Sequence, residues 1–465
     1  MDVYIFDGVF KQKHRDALRL MSASFNPDAS YTTTKQGDIM SSHKPAYTYF
    51  FLCVIGFALL LTGCDSGGSS DACDSNLATI NQGTNAETQI QEAMLDVTSG
   101  NQICLGEGTF DVASTLTMNN KTGITITGAG SDLTILSFAG QTGGGDGVLI
   151  TNSEAIVVKD LTIRDTQGDG LKFTDSDGIV MKNLRVEWSG DPSSDNGAYG
   201  LYPVLSSNIL VEDSYVYGAA DAGIYVGQSD KAVVRNSTAE GNVAGIEIEN
   251  TTNADVYDNI VRDNSAGILV FDLPNLTMNG AYIRVFDNVV ESNGRDNFAP
   301  SGIVSEVPAG TGILTMSTDN VEIFDNILIE NNLLGTAVVS YNSLIALGAI
   351  EAPLDLEYNP LNVNVHNNSY SRSDINLVGE GQSDLGNLIL QIFGENPIPD
   401  LVIDGFFSPD GDEHGSICFQ SNSDASFVSL NIPNDFPNNL SFDQSMHNCT
   451  MDPLPEVEIT VPSVD

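Results

Sequence analysis

Basic side chains are scarce in this sequence: 18 Lys and Arg stand against 62 Asp and Glu, a formal net charge of -44 over 465 residues. So negative a chain repels phosphate backbones, which excludes nucleic acid as a partner and argues against anionic headgroups. Histidine is scarcer still, at five residues, and tryptophan occurs once, at Trp188. Long apolar runs are missing too, since the stretch from Tyr49 to Leu61 is too short for a comfortable membrane span. Disorder, which the charge would otherwise suggest, is excluded because 41% of residues are hydrophobic and only 17% are charged. Glycine is plentiful, at 44 residues, and stretches of helical period are few, the composition of a turn-rich β protein.

The early part of the chain carries a processing signal. Lys44 precedes the Tyr49–Leu61 run, and Leu61-Thr62-Gly63-Cys64 follows it at once. This stretch resembles a bacterial lipoprotein signal peptide with its lipobox. The resemblance implies cleavage before Cys64 and lipidation of that residue. It also implies a lipid-anchored place in the cell envelope, at the outer membrane or the periplasmic face of the inner one. Met40 would start a signal peptide of ordinary length. Residues 1–39 therefore read as a start-site extension, 40–63 as the signal peptide and 64–72 as a Gly/Ser-containing tether. Loss of 1–63 would take six basic and five acidic residues, leaving 12 basic against 57 acidic.

An internal repeat dictates the shape of the rest. Similar lines recur: IVVKDLTI at 156–163, IVMKNLRV at 179–186, ILVEDSYV at 209–216, then AVVRNSTA, ADVYDNIV, IRVFDNVV and VEIFDNIL. One polar column runs through Asp160, Asn183, Asp213, Asn236, Asp258, Asp287 and Asp325, with Asn367 as an eighth member. A second column is glycine before an apolar residue, at Gly170, Gly200, Gly223, Gly245, Gly267 and Gly302. From glycine to the next polar residue the distance is 13 in four consecutive cases, while extra length enters only at corners. Fixed strands with variable corners mark a coil of constant cross-section. Within each line apolar residues alternate, so the polar residue sits at a tight bend between two short strands and the glycine opens a third. Three strands per turn of about 22 residues give an all-β, right-handed parallel β-helix, a solenoid with three strands per rung. Asn259, Asn288 and Asn326 replace apolar residues just after the bend, where stacking would make an amide ladder inside the coil.

An open β-helix needs covers at its ends. Residues 86–97 place Ile90, Ala93, Met94 and Val97 at helical spacing, an N-terminal cap. Ile103-Cys104-Leu105 then leads to Gly108 and Phe110, and GITITGAG follows at 123–130. Helix, I-x-L-x-x-G-x-F and coil together resemble the start of pectin-lyase-like β-helix proteins. The whole resembles bacterial lipoproteins of the right-handed parallel β-helix repeat superfamily. On this reading 73–398 is the β-helix with its N-terminal cap and 399–465 is a C-terminal cap. Four cysteines lie beyond Cys64, two near each end: Cys73, Cys104, Cys418 and Cys449. Three pairings exist. A long coil keeps its ends apart, which favours Cys73–Cys104 and a cap-closing Cys418–Cys449.

Relatives of this fold bind and cut acidic polysaccharides, as pectate lyases, polygalacturonases and alginate C5-epimerases. The resemblance therefore implies a lyase or epimerase of an acidic polysaccharide, or a protein that binds one. Uronate chemistry needs a base for the C5 proton and a cation, Arg, Lys or calcium, for the carboxylate. Ten of the 12 basic residues beyond Cys64 lie between 159 and 295. Outward positions of the second strand carry Arg164, Arg185, Glu187, Tyr215, Tyr217, Glu240 and Arg262; those of the third carry Lys172, Tyr202, Tyr225 and Glu247. Arg185 and Arg262 are the candidate catalytic residues, with Arg164, Glu187, Tyr202, Tyr215, Tyr217 and Tyr225 as the substrate-binding set and Trp188 as a groove wall. The same charges equally form an ordinary solvated ladder. The epimerase motif Asp-Pro-His-Asp and the polygalacturonase motifs Asn-Thr-Asp and Gly-His-Gly are absent. Oxygen-rich loops at Asp165–Asp169, Asp191–Asp195 and Asp410–Glu413 make Ca2+ a candidate cofactor, although none matches an EF-hand or the nonapeptide repeat. The competing expectation is a non-catalytic envelope scaffold that binds a protein partner through the apolar corner loops Phe271–Tyr282 and Phe298–Leu314.

Overall fold

Period-two alternation folds as expected, into strands whose alternate side chains fill the inside of a coil. The computed structural model describes residues 78–348, 359–372, 381–394, 396–406 and 417–464, all within the compact unit Asp71–Asp465. The signal peptide, Cys64, the tether, Cys73 and the Asp410–Glu413 loop lie outside the described residues. The fold is a right-handed parallel β-helix. First and second strands of each rung share a 20-stranded sheet, and third strands form an 11-stranded one. Every inter-rung pairing is parallel, for example Ile179 beside Ile156 and Ile209.

The bend between first and second strands is one residue wide. All eight members of the polar column hold it with a left-handed backbone, from Asn183 at φ 49° to Asp160 at φ 60°. Asn and Asp tolerate that region better than other non-glycine residues, because their short polar side chains bond locally. The residues on either side point inward, so Ile156, Ile163, Ile179 and Val186 are at most 1% exposed.

Amide ladders run up the inside. Asn259 donates to Asn288 (3.0 Å), Asn288 to Asn326 (3.0 Å), Asn326 to Asn368 (2.9 Å) and Asn368 to Asn422 (3.1 Å). A second ladder, not foreseen, climbs Asn242, Asn264, Asn293 and Asn331 at 2.9–3.0 Å. Each amide lies buried and bonds to the backbone of the preceding rung as well, so no member is left unsatisfied in low dielectric.

The glycine column is real, but its sixth member is Gly312 rather than Gly302. Gly302 precedes a short 3-10 turn, Ile303–Glu306, inside a long excursion, whereas Thr311–Met316 is the third strand of that rung. Glycine is required because the backbones nearly touch: a Cβ on Gly267 would stand 2.4 Å from the Gly312 carbonyl oxygen.

Helix α1, Ala86–Asp96, caps the first rung with Ala86, Ile90 and Met94. At the other end the coil runs further than the sequence pattern suggests. Leu401–Ile403 pairs with the strand Leu334–Val339, and Phe427–Ser429 pairs in turn with Leu401–Ile403. Cys418 and Cys449 are joined by a disulfide, and Cys104 is disulfide-bonded as well. The last residues, 451–464, cross the outer face of the first strands. Leu454, Val457 and Thr460 donate their N–H groups to Glu322, Asp255 and Asn208, while Val457, Ile459 and Val461 pack on Val157, Val180, Leu210 and Val233.

One outward column of the third-strand sheet changes character along its length. In register it runs Thr117, Leu149, Lys172, Tyr202, Tyr225, Glu247, Leu269, Leu314, Ala337, Val402, Val428. Its apolar half is covered. Residues 294–310, helix α2 (Tyr341–Ala346) and helix α3 (Asp384–Phe393) pack on it as a second core outside the coil. Among the described residues no helix is long and apolar enough to cross a membrane.

Candidate functional site

The substrate-binding residues expected from the sequence fall on two different faces. Arg164, Arg185, Glu187, Tyr215, Tyr217 and Arg262 share the second-strand face. Register places Arg164 beside Glu187, Arg185 beside Tyr215 and Arg262 beside Glu240. Tyr202 and Tyr225 lie on the third-strand sheet. Trp188 walls neither face: it is 5% exposed and its indole N–H donates to the Thr166 carbonyl at 2.7 Å.

On the second-strand face, every candidate arginine is engaged by a carboxylate. Arg164 Nη2 lies 2.7 Å from Glu187 Oε1, Arg185 Nη1 lies 3.2 Å from Glu187 Oε2, and Arg262 Nη2 lies 3.0 Å from Glu240 Oε2. Arg185 also stacks 4.5 Å over the Tyr215 ring, and Tyr215 donates to Glu240 at 3.4 Å. Tyr217 reaches the Gly190 carbonyl at 3.3 Å. Hydrogen bonding to Glu240 pushes the Arg262 guanidinium still further up, so it stays charged. An arginine acts as a base only when deprotonated, and this environment opposes that.

The third-strand face is built differently. Tyr199, Tyr202 and Tyr225 form a cluster with ring centroids 4.5–5.0 Å apart. Tyr202 and Tyr225 face out on neighbouring rungs. Tyr199 precedes Gly200 and so stands where the corner meets the sheet. Tyr225 lies flat because Gly227 has no side chain: a Cβ there would be 2.2 Å from the ring. Carboxyls surround the cluster. Tyr199 donates to Asp221 Oδ2 at 3.2 Å, and Tyr225 donates to Glu249 Oε1 at 2.6 Å. Lys172 Nζ bridges Asp169 Oδ2 at 3.1 Å and the Tyr202 ring at 4.4 Å. Glu247 is 3% exposed, and its Oε2 has no hydrogen-bond partner.

Removal from water is the leading influence on these acids, and mutual repulsion adds to it. Burial pushes the Asp221 carboxyl up to about 7, with further upward pressure from Glu249 and Asp169. Burial also raises Asp169, Glu249 and, most strongly, Glu247. The same desolvation holds the Tyr199 and Tyr202 phenols well above their ordinary range, so both stay protonated. The face thus combines an acid that titrates near neutrality, phenol donors and one lysine, a set suited to proton transfer. Among the described residues no group of three or more His, Cys, Asp or Glu is arranged to hold a metal ion.

The sequence pattern marks Tyr202 and Tyr225 as outward residues and Asp169 only as the end of an oxygen-rich loop, and it gives no sign of Tyr199, Asp221 or Glu249. A usable signal was present: the outward column turns from polar to apolar after Glu247, which marks where a cover begins. The corner loops expected to bind a protein partner are partly consumed by that cover. Phe271, Val304, Val307 and Leu314 are buried in the second core, and Phe298 and Ile303 pack on it. The Asp column at the bend between first and second strands repels itself: burial, then Asp325 and Asp258, push Asp287 up.

Residues 146–333 match the family described as "Right handed beta helix region". No curated protein matches the chain. Among solved structures it is similar to the A-module of a mannuronan C-5 epimerase of Azotobacter vinelandii. That likeness has 14% identity over 74% of this chain and 92% of that one, with a TM-score of 0.44. An alginate lyase from Paenibacillus sp. is 18% identical over 65% of this chain and 96% of that one, with a TM-score of 0.35. An endo-xylogalacturonan hydrolase from Aspergillus tubingensis is 12% identical over 74% of this chain and all of that one, with a TM-score of 0.36.

Proposed function

We propose that the third-strand face binds an acidic polysaccharide lengthwise and takes a proton from it, as a uronan lyase or C5-epimerase does. One observation carries the reading: Asp221, an acid poised near neutrality, accepts a hydrogen bond from Tyr199 inside a tyrosine cluster on a regular sheet. Rungs repeat at about 4.8 Å, close to the length of one sugar, so successive sugars meet equivalent positions.

Each residue has a chemical part. Ionised Asp221 takes the C5 proton. Lys172 faces the substrate carboxylate, which carries the electron pair left behind as an enolate. The Tyr199 and Tyr202 phenols keep their protons and offer a uronate hydrogen-bond donors beside Lys172. Expulsion of the C4 oxygen, which takes a proton from the Tyr202 phenol as its bond to C4 breaks, then gives an unsaturated sugar and a free chain hydroxyl. Return of a proton to the opposite face of C5 gives the epimer. The same acid set could serve glycoside hydrolysis, in which Asp221 would act protonated. The pH limb separates the two: proton removal strengthens as Asp221 ionises through about 7, and acid-assisted hydrolysis weakens there. A lipid at Cys64 would hold this activity at the cell envelope.

The test is incubation with alginate and pectate, with and without Ca2+, following unsaturated-uronate absorbance and deuterium uptake at C5 together. Either signal, lost in Asp221→Asn, supports the proposal. Silence in both across substrates sinks it.

A further inference from the structure

The groove on the third-strand sheet is open at one end and walled at the other. Thr117 is exposed and Leu149, Lys172 and Tyr202 are half-buried. One rung further on, Tyr225 is 4% exposed, then Glu247 3% and Leu269 0%, although all occupy the same outward column. The closure comes from the long excursion between the second and third strands of one rung. It leaves where Arg295 N–H donates to the Asn264 carbonyl and returns where Gly310 N–H donates to the Ser265 carbonyl. The Ser265 hydroxyl reinforces the departure point by donating to the Asp296 carbonyl at 2.8 Å. Between those ties Phe298, Val304 and Val307 pack into the second core with Tyr225 and Leu269. The cover is therefore a hydrophobically anchored wall rather than a loose loop: it buries a whole apolar stripe and is stitched to the rung beneath it.

A chain lying along the column would run freely over four rungs and then meet this wall. An open β-helix face places no limit on how far a polymer extends in either direction; this one does. Resting on the function proposed above, we infer that the groove takes the end of a polysaccharide chain. The excursion and Tyr225 form the end wall, and Asp221, just ahead of the Tyr225 strand and hydrogen-bonded to Tyr199, stands where the open run meets it. From Thr117 to Tyr202 the open run covers roughly 14 Å at ~4.8 Å per rung, room for about three or four sugars. The protein then works on chain ends or short oligomers rather than in the middle of a polymer.

Titration of the purified protein with mannuronate and galacturonate oligomers of two, four, six and eight sugars tests this. Affinity rises steeply from two to four sugars and changes by less than about two-fold from four to eight. Polymer at equal mass binds in proportion to its number of chain ends. An affinity that keeps climbing, about ten-fold or more between four and eight sugars, overturns the end wall while leaving the glycan site standing. Failure of every oligomer to bind at any length overturns the glycan site and the wall with it.

Discussion

The second-strand and third-strand faces are both ladders of outward charged and aromatic residues, yet they solve the problem of charge in opposite ways. On the second-strand face Arg164, Arg185 and Arg262 each meet a carboxylate at 2.7–3.2 Å and stay a third or more exposed. Water and partner share the work, so each pair is worth little. On the third-strand face burial raises Asp169, Asp221, Glu247 and Glu249, with Lys172 as the nearby cation. Positive charge in the sequence pointed to the first face; removal of water singles out the second. A site is made less by which charges are present than by which are denied solvent or a partner.

The sharpest way to break this comparison is Asp221→Asn. Removing the acid–base group lowers uronan turnover by about 10²–10⁴-fold, read as unsaturated-sugar absorbance or C5 exchange. The double variant Arg185→Ala/Arg262→Ala is its counterpart, and a comparable loss there would return the chemistry to the second-strand face. Tyr199→Phe comes next, losing about 10- to 100-fold, the worth of one hydrogen bond to a charged group, with folding unchanged by circular dichroism.

Stability against pH gives a smaller effect of definite sign. The folded Asp221 has its pKa raised, to about 7, so between its unfolded value of 3.8 and 7 the native state binds the extra proton. Melting temperature therefore falls as pH climbs through that window, and Asp221→Asn flattens the slope. A wild-type curve that rises with pH across the same window would contradict the burial of these acids. The smallest effect belongs to the second-strand pairs. Arg164→Ala shifts unfolding free energy by no more than about 1 kcal/mol, because its partner Glu187 keeps Arg185.

Much of the fold was legible because its rules are local. A left-handed bend wants Asn or Asp, and the column from Asp160 to Asn367 says so outright. Touching backbones want glycine, although Gly302-Ile303 copied that pattern inside an excursion and hid Gly312. The site was less legible. Tyr199 and Asp221 stand one and two residues before Gly200 and Gly223, just after corners whose residues show no alternation to mark which way a side chain faces. Tyr199 also packs against the second core, which draws in segments distant in sequence, residues 294–310 and helix α3, that no local pattern announces.

The tail at 451–464 changes how such a coil comes apart. In a solenoid each rung holds only its neighbours, so an end can fray one step at a time. Here a single strand of chain reaches back from Glu322 to Asn208, joining residues 132 to 252 positions apart. Fraying from the C-terminal end must first peel that strand, so intermediate states lose their advantage and the array melts as one body. Truncation after residue 450 should broaden the calorimetric transition or split it in two; a transition as narrow as that of the full chain would show the rungs to be coupled already. The tail is a splice running lengthwise through a stack of otherwise short-sighted parts.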